Sequence, residues 1–247
     1  MAKINPFVFI DFETGGVECT ENPITEIAMV AIEGDSLKQM ATYESYVKPY
    51  GVSTKAPDRS KLKPKDNVWQ DEKSGLYSIY TDSALVATGI DWKQIDGGKE
   101  LKVVVPEILE FLKKVHIHGG AQYRPILVAH NAQFDKGMLH QIMTLTKKMK
   151  DLAKVVFGEE DYFGNFQPEF LDSLHFFKMW FGFDEDLPNW KLASCIARAG
   201  SELSDGHRAL NDTVGLKEAI TKGIRLLRSG IEGAELKGMK VRDNFHF

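Results

Sequence analysis

The sequence predicts an α/β fold in which a central sheet is layered with helices. Three observations carry that prediction. The N-terminal part reads as three strands: the apolar run Phe7 to Phe12, then Ile24 to Ile32 and Thr42 to Val47. A largely apolar run is the pattern of a strand covered on both faces. From Val103 onward, apolar residues recur at helical spacing and alternate with short buried segments, which suits strands and helices packed in layers. Finally, 247 residues of which 43% are hydrophobic and 27% charged can bury a core without a disulfide or metal staple.

The later elements follow in order. Val103 to Val115 is expected to be a helix, and Ile126 to Ala129 a short buried strand. Phe134, Met138, Ile142 and Leu145 mark the next helix, and Phe170 to Leu174 a further strand. Trp190 to Ala199 and Ala209 to Leu227 read as two more helices. Residues 51 to 81 differ in kind. They are rich in Pro, Ser, Gly and Lys, lack helical periodicity, and read as a long loop or insertion. A single domain over residues 1 to 247 is expected, with a polar tail from about 230 for which no fold is predicted.

Composition excludes some classes. A net charge of −4 argues against a protein that coats duplex nucleic acid through many phosphate contacts. It leaves room for an enzyme that grips a few nucleotides. Cys19 and Cys195 form neither a disulfide framework nor a zinc spacing, which points to a reduced, intracellular setting. The N-terminal apolar run is cut by Asp11, too early for a signal peptide or a membrane span. A soluble, cytoplasmic protein with no membrane partner is therefore expected.

Three short segments carry chemistry. In Phe9-Ile10-Asp11-Phe12-Glu13-Thr14-Gly15-Gly16, residues two apart share a strand face, so Asp11 and Glu13 point the same way at a strand end. Open α/β sheets place ligands at the C-terminal ends of strands. Two carboxylates held this close are unfavourable unless a cation lies between them, and hard divalent ions take such oxygen ligands. Taken alone the pair is weak, because Asp-x-Glu arises by chance about once in a chain of this size.

The second segment is Leu127 to Asp135. A strand ends at His130, Asn131 is placed as the N-cap of the following helix, and Asp135 falls in its first turn. There Asp135 either complements the helix dipole or joins a site. His130 is read as a structural histidine. The third segment is Gly206-His207-Arg208-Ala209-Leu210-Asn211-Asp212-Thr213. Positions five apart leave one helix face, so His207 and Asp212 converge only if His207 stands in the loop before the helix, as the Asp205-Gly206 turn signal suggests. A loop histidine suits proton transfer near neutral pH, although a surface histidine before a polar helix face reads the same way.

In their order and spacing, Asp-x-Glu, His-Asn-x-x-Phe-Asp and His-Arg-Ala-x-x-Asp closely resemble the three motifs of the DEDDh superfamily of 3′→5′ exonucleases, which includes polymerase proofreading subunits and ribonuclease T. The resemblance covers roughly residues 6 to 225, with Thr81 to Val105 similar to the family's region between the first two motifs. It implies a ribonuclease H-like fold, a mixed central sheet flanked by helices. It also implies two divalent metal ions, Mg²⁺ with Mn²⁺ able to substitute. Asp11, Glu13 and Asp212 would hold one ion with Asp11 shared, and Asp135 would serve the second. His207 would take the proton from the attacking water. The products would be 5′-mononucleotides, released from single-stranded DNA or RNA 3′ ends with DNA favoured. An RNA-trimming exoribonuclease and an inactive nucleic-acid-binding member are the alternatives. Asp172 resembles a family acid that is usually structural.

The resemblance also places Thr14 and the Gly15-Gly16 backbone beside the terminal nucleotide. For base stacking, Phe12 and Phe134 are read as core, while Tyr162 to Phe166 is open between loop packing and substrate contact. Two departures stand out. Residues 51 to 81 are longer than compact members need, and Thr213 replaces the alanine that commonly follows the acid. Within the long segment, Lys55, Arg59, Lys61, Lys63 and Lys65 face a single acid, Asp58, between positions 55 and 65. Lys61, Lys63 and Lys65 are candidates to guide a strand by phosphate contact, against the plain alternative of a solvated loop.

Overall fold

The computed structural model describes residues 4–182, 184–202 and 208–229. The chain begins with β1 (Phe7–Thr14), β2 (Ile24–Ile32) and β3 (Gln39–Tyr46), then β4 (Asn67–Gln70) and β5 (Tyr77–Tyr80). Next come α1 (Asp82–Thr88), α2 (Trp92–Gly97), α3 (Leu101–Val115), β6 (Ile126–Ala129), α4 (Gln133–Leu145) and α5 (Met149–Val155). The last elements are β7 (Gly158–Glu160), β8 (Phe166–Pro168), β9 (Phe170–Asp172), α6 (Ser173–Phe181), α7 (Leu192–Arg198) and α8 (Ala209–Arg228).

Five strands make one mixed sheet in the order β3-β2-β1-β6-β9. The β1–β2 and β2–β3 pairs are antiparallel, while β1–β6 and β6–β9 are parallel. With helices on both faces this is the ribonuclease H-like arrangement that the motifs implied. Alternation along β1 assigns its residues to the two layers. Val8, Ile10 and Phe12 pack into one core with Val104, Ile108 and Leu112 of α3 and Met138 and Ile142 of α4. Phe9 packs into the other core with Phe177 of α6, Ile196 of α7 and Leu216 and Ile220 of α8. Asp11 and Glu13 continue the Phe9 face, so they look towards the layer that contains α8. The strand ends there because Gly15 and Gly16 turn the chain: a Cβ on Gly16 would fall 2.5 Å from Asn22 Oδ1.

Residues 51 to 81, read from sequence as loop or insertion, contain a 3-10 turn at Arg59–Lys61 and the β4–β5 hairpin. The hairpin has a hydrophobic anchor that its polar composition hides. Tyr80 is fully buried with Ile90 and Ile95, and its ring lies 4.8 Å from that of Trp92. Local capping explains the next helices. Thr81 accepts the Ala84 amide at the start of α1, and Asp91 and Gln94 form a reciprocal capping box on α2.

β3 starts three residues earlier than the sequence reading and α3 two, and two further boundaries have a local cause. The strand expected to reach Leu174 stops at Asp172, because Asp172 accepts the Leu174 amide (2.9 Å) and starts α6. The helix expected from Trp190 begins at Leu192, because Asn189 accepts the amide of Lys191 (2.9 Å) and the hydroxyl of Ser194 (2.9 Å). Among the described residues no helix is long and apolar enough to cross a membrane, and Cys19 and Cys195 are free thiols.

Candidate metal centre

Three carboxylates from two elements meet at the C-terminal end of β1. Asp11, Glu13 and Asp212 each offer an oxygen, and these oxygens lie within 4.8 Å of one another. The pleat of β1 aims the first two the same way, and the first turn of α8 brings the third across the sheet. Asp135, in the first turn of α4, approaches from another side. It is 2% exposed. Its Oδ1 is buried without a hydrogen-bond partner. A buried, unpartnered carboxylate oxygen is unfavourable in a folded chain unless something fills its coordination.

The electrostatics agree with the geometry. Burial, followed by the fields of Asp135, Glu13 and Asp212, holds the Asp11 carboxyl well above the usual carboxylate range. Burial and the nearby Asp212 and Glu26 raise Glu13 to about 7, with Arg208 opposing the shift. Burial likewise raises Asp135. Crowded oxygen donors that repel one another are the donor set of a hard divalent cation, so the residues present fit such an ion.

His207 lies outside the described residues, as does the tail from 230 onward. Thr14 is buried, and its hydroxyl donates to the Gly16 carbonyl (2.6 Å), so it shapes the turn instead of facing outward. Lys61, Lys63 and Lys65 are all exposed. Of the three, only Lys61 lines a cavity of about 480 Å³ that runs between the insertion and the Gly16–Val17 turn at the end of β1. The insertion is tied to that turn directly: the Thr81 amide donates to Gly15 O (2.6 Å), and Asn22 Nδ2 donates to Ile79 O (2.7 Å).

His130 is structural, as expected. Its Nδ1 meets the Ser173 hydroxyl and its Nε2 the Trp190 carbonyl, each at 2.9 Å, and burial lowers its pKa. Asn131 is not the N-cap. Its backbone is left-handed (φ 60), the N-cap position is Ala132, and the carboxylate of Asp172 fixes the preceding loop by accepting the amides of Asn131 (3.0 Å) and Ala132 (3.2 Å). Asp172 therefore caps α6 and ties the loop before α4 to it, and it is not among the clustered carboxylates. Phe12 is core, and Phe134 packs beside it. Tyr162 and Phe163 are 96% and 82% exposed at the tip of the β7–β8 hairpin, so loop packing does not explain them. That hairpin adjoins Pro125, at the start of β6 and away from the end of β1 that holds the carboxylates.

One residue beside the site is not singled out by the sequence motifs. Glu26, directly opposite Glu13 in the β1–β2 register, is completely buried. Its signal is present in the chain: it is the only charged residue in Ile24-Thr25-Glu26-Ile27-Ala28-Met29-Val30-Ala31-Ile32, and a lone acid in a buried strand needs a partner.

No family model and no curated protein matches the sequence. Solved structures do match the fold. Escherichia coli exonuclease I in complex with a dT13 oligonucleotide superposes with a TM-score of 0.61 at 16% identity, over 91% of this chain and 42% of that one. The nuclease domain of 3′hExo, a DEDDh family member, bound to rAMP, gives 0.58 at 15% identity, over 93% and 94% of the two chains. Cell-death related nuclease 4 (CRN-4) gives 0.61 at 14% identity, over 92% and 65%. The chain thus spans about two fifths of exonuclease I but nearly all of the 3′hExo nuclease domain. At these identities the likeness establishes a shared fold.

Proposed function

We propose that the protein is a divalent-metal-dependent 3′→5′ exonuclease that releases 5′-mononucleotides from single-stranded ends, with DNA as the favoured substrate. The observation that carries this reading is the convergence of Asp11, Glu13 and Asp212 on one point, with the buried, unpartnered Asp135 oxygen beside them. The fold neighbours support it, since they include an exonuclease bound to an oligonucleotide and a nuclease domain bound to a mononucleotide.

Asp11, Glu13 and Asp212 would hold one ion, and Asp135, with Asp11 shared, would serve a second. When bound, such ions stabilise the attacking and leaving oxygens at a phosphate. The chain supplies the rest. The Gly15–Gly16 turn, packed against Tyr80 and Asn22 where a side chain would clash, closes the end of β1 beside the expected place of the terminal nucleotide. Thr14 acts through that turn. His207, directly before Arg208 in the sequence, accepts the proton of the attacking water, a role that the ordinary histidine pKa suits. Lys61 borders the cavity next to the turn, and with Lys63 and Lys65 it offers charge to an incoming strand.

End-labelled DNA and RNA oligonucleotides, incubated with Mg²⁺, with Mn²⁺ and with chelator, test this. Stepwise loss from the 3′ end that requires metal, with DNA cut faster than RNA, is the expected result. Faster cutting of RNA would favour the exoribonuclease reading. Cutting of a closed circular strand would show an endonuclease, and binding without cutting an inactive member of the fold.

A further inference from the structure

We propose that Glu26 and Arg208 form a clamp that positions Asp212 in the acidic cluster, acting as positioning residues outside the reacting groups. The proposal rests on the metal-centre reading above. It begins with where Glu26 stands. All nine residues of β2 are buried, and Glu26 is fully enclosed among them. A carboxylate in such a place is retained only when paired and hydrogen-bonded.

Among the described residues, its hydrogen-bond donors belong to the start of α8. Arg208 Nη2 and Nε donate to Glu26 Oε1 at 2.9 and 3.2 Å. The Ala209 amide donates to Glu26 Oε2 at 3.2 Å. The guanidinium is also held from β3: Nη2 lies 3.3 Å from Glu44 Oε1, and the group stands 5.2 Å over the Tyr46 ring. Arg208 precedes α8 as its cap residue without a side-chain capping bond of its own, so Glu26 supplies the anionic cap from another strand.

The consequence falls on Asp212. Its amide donates to the Arg208 carbonyl at 3.0 Å, closing the first turn of the helix. Fixing Arg208 and Ala209 to β2 therefore fixes the turn that delivers Asp212 to Asp11 and Glu13. Those three carboxylates repel one another, so an outside tether is needed to keep Asp212 in reach. The clamp also accounts for a lone acid in an apolar strand, directly opposite Glu13.

The test uses Arg208→Ala, Arg208→Lys, Glu26→Gln and the Glu26→Gln/Arg208→Ala double variant, read by Mn²⁺ titration calorimetry and by steady-state kinetics on a short oligonucleotide. Arg208→Ala is expected to weaken Mn²⁺ binding by about 10–100-fold and to lower kcat by a similar factor, as loss of outer partners of a metal site does. KM should stay near that of the parent, and Arg208→Lys should recover part of the loss. The double variant should be no worse than the poorer single, since both changes break one unit. Unchanged Mn²⁺ affinity, strictly additive losses, or a raised KM with intact kcat would overturn the clamp. The last result would make Arg208 a phosphate contact instead. A parent protein whose Mn²⁺ binding is absent, or insensitive to Asp11→Asn, would overturn the metal-centre reading itself. If Arg208→Ala does not fold in chelator, Arg208→Lys and Glu26→Gln read the same loss.

Discussion

Glu13 and Glu26 face each other across the β1–β2 pair, yet one opens on the acidic cluster and the other is sealed against Arg208. Two adjacent acids on one sheet thus have different surroundings: Glu13 gathers with Asp11 and Asp212, while Glu26 is hydrogen-bonded by Arg208 and the Ala209 amide. The difference comes from α8, which presents Asp212 to the first and Arg208 to the second.

Replacing Asp11 or Asp212 by Asn removes one of three mutually repelling donors. Cleavage should fall below detection and Mn²⁺ binding should weaken. The metal-free protein should at the same time melt at a higher temperature, because like-charge repulsion is relieved. Substantial metal-dependent cutting by either variant would contradict the proposed roles.

The crowding of acids also sets a pH dependence. In the folded chain Glu13 titrates at about 7, against an ordinary value of 4.5. A raised carboxyl binds its proton more tightly when folded, so it penalises the folded state above pH 7. That penalty is relieved as the pH falls from 7 towards 4.5. In chelator, the urea midpoint of the parent should therefore rise, relative to that of Glu13→Gln, between about pH 8 and about pH 6. Parallel midpoints across that range would show that Glu13 carries no such strain.

His207→Ala should lower kcat by about 10²–10⁴-fold, the usual contribution of a general base, with KM little changed. Single-turnover rates on bound substrate separate the two effects. Loss of binding with an intact rate would remove His207 from the proton-transfer role.

Lys61→Ala/Lys63→Ala/Lys65→Ala should weaken binding of longer oligonucleotides and flatten its salt dependence, while cleavage of a dinucleotide stays near the parent rate. Removing one phosphate-neutralising cation lowers the slope of log affinity against log salt by roughly one unit or less. Equal slopes for variant and parent would leave the segment as a solvated loop.

Much of the fold is legible in the chain. The apolar runs mark β1, β2 and β6 to within a few residues, because strands buried on both faces leave an unbroken apolar signal. The period-two placement of Asp11 and Glu13 needs only strand geometry. The β4–β5 hairpin, α5 and the β7–β8 hairpin are not legible, since short elements held by distant anchors carry little local pattern. Tyr80 stabilises its hairpin through Trp92 and Ile95, which no local window reveals. Asn131 reads as a cap in sequence and is not one in the structure for the same reason: Asp172, about forty residues away in sequence, holds the Asn131 and Ala132 amides, and the helix starts after them.

The sequence by itself determined the residue types, their order and the local periodicity, and hence the α/β class and the acids worth watching. These depend on short-range sterics and on which side chains water excludes. Only the tertiary structure decided that Asp212 meets Asp11 and Glu13, that Asp135 has a buried oxygen without a partner, and that Glu26 is bound to Arg208. The first and third depend on the register of β1 against β2 and on where α8 lands, and the second on how α4 packs against β1. Such long-range placement is set by the packing of whole faces, which no single segment of the chain encodes.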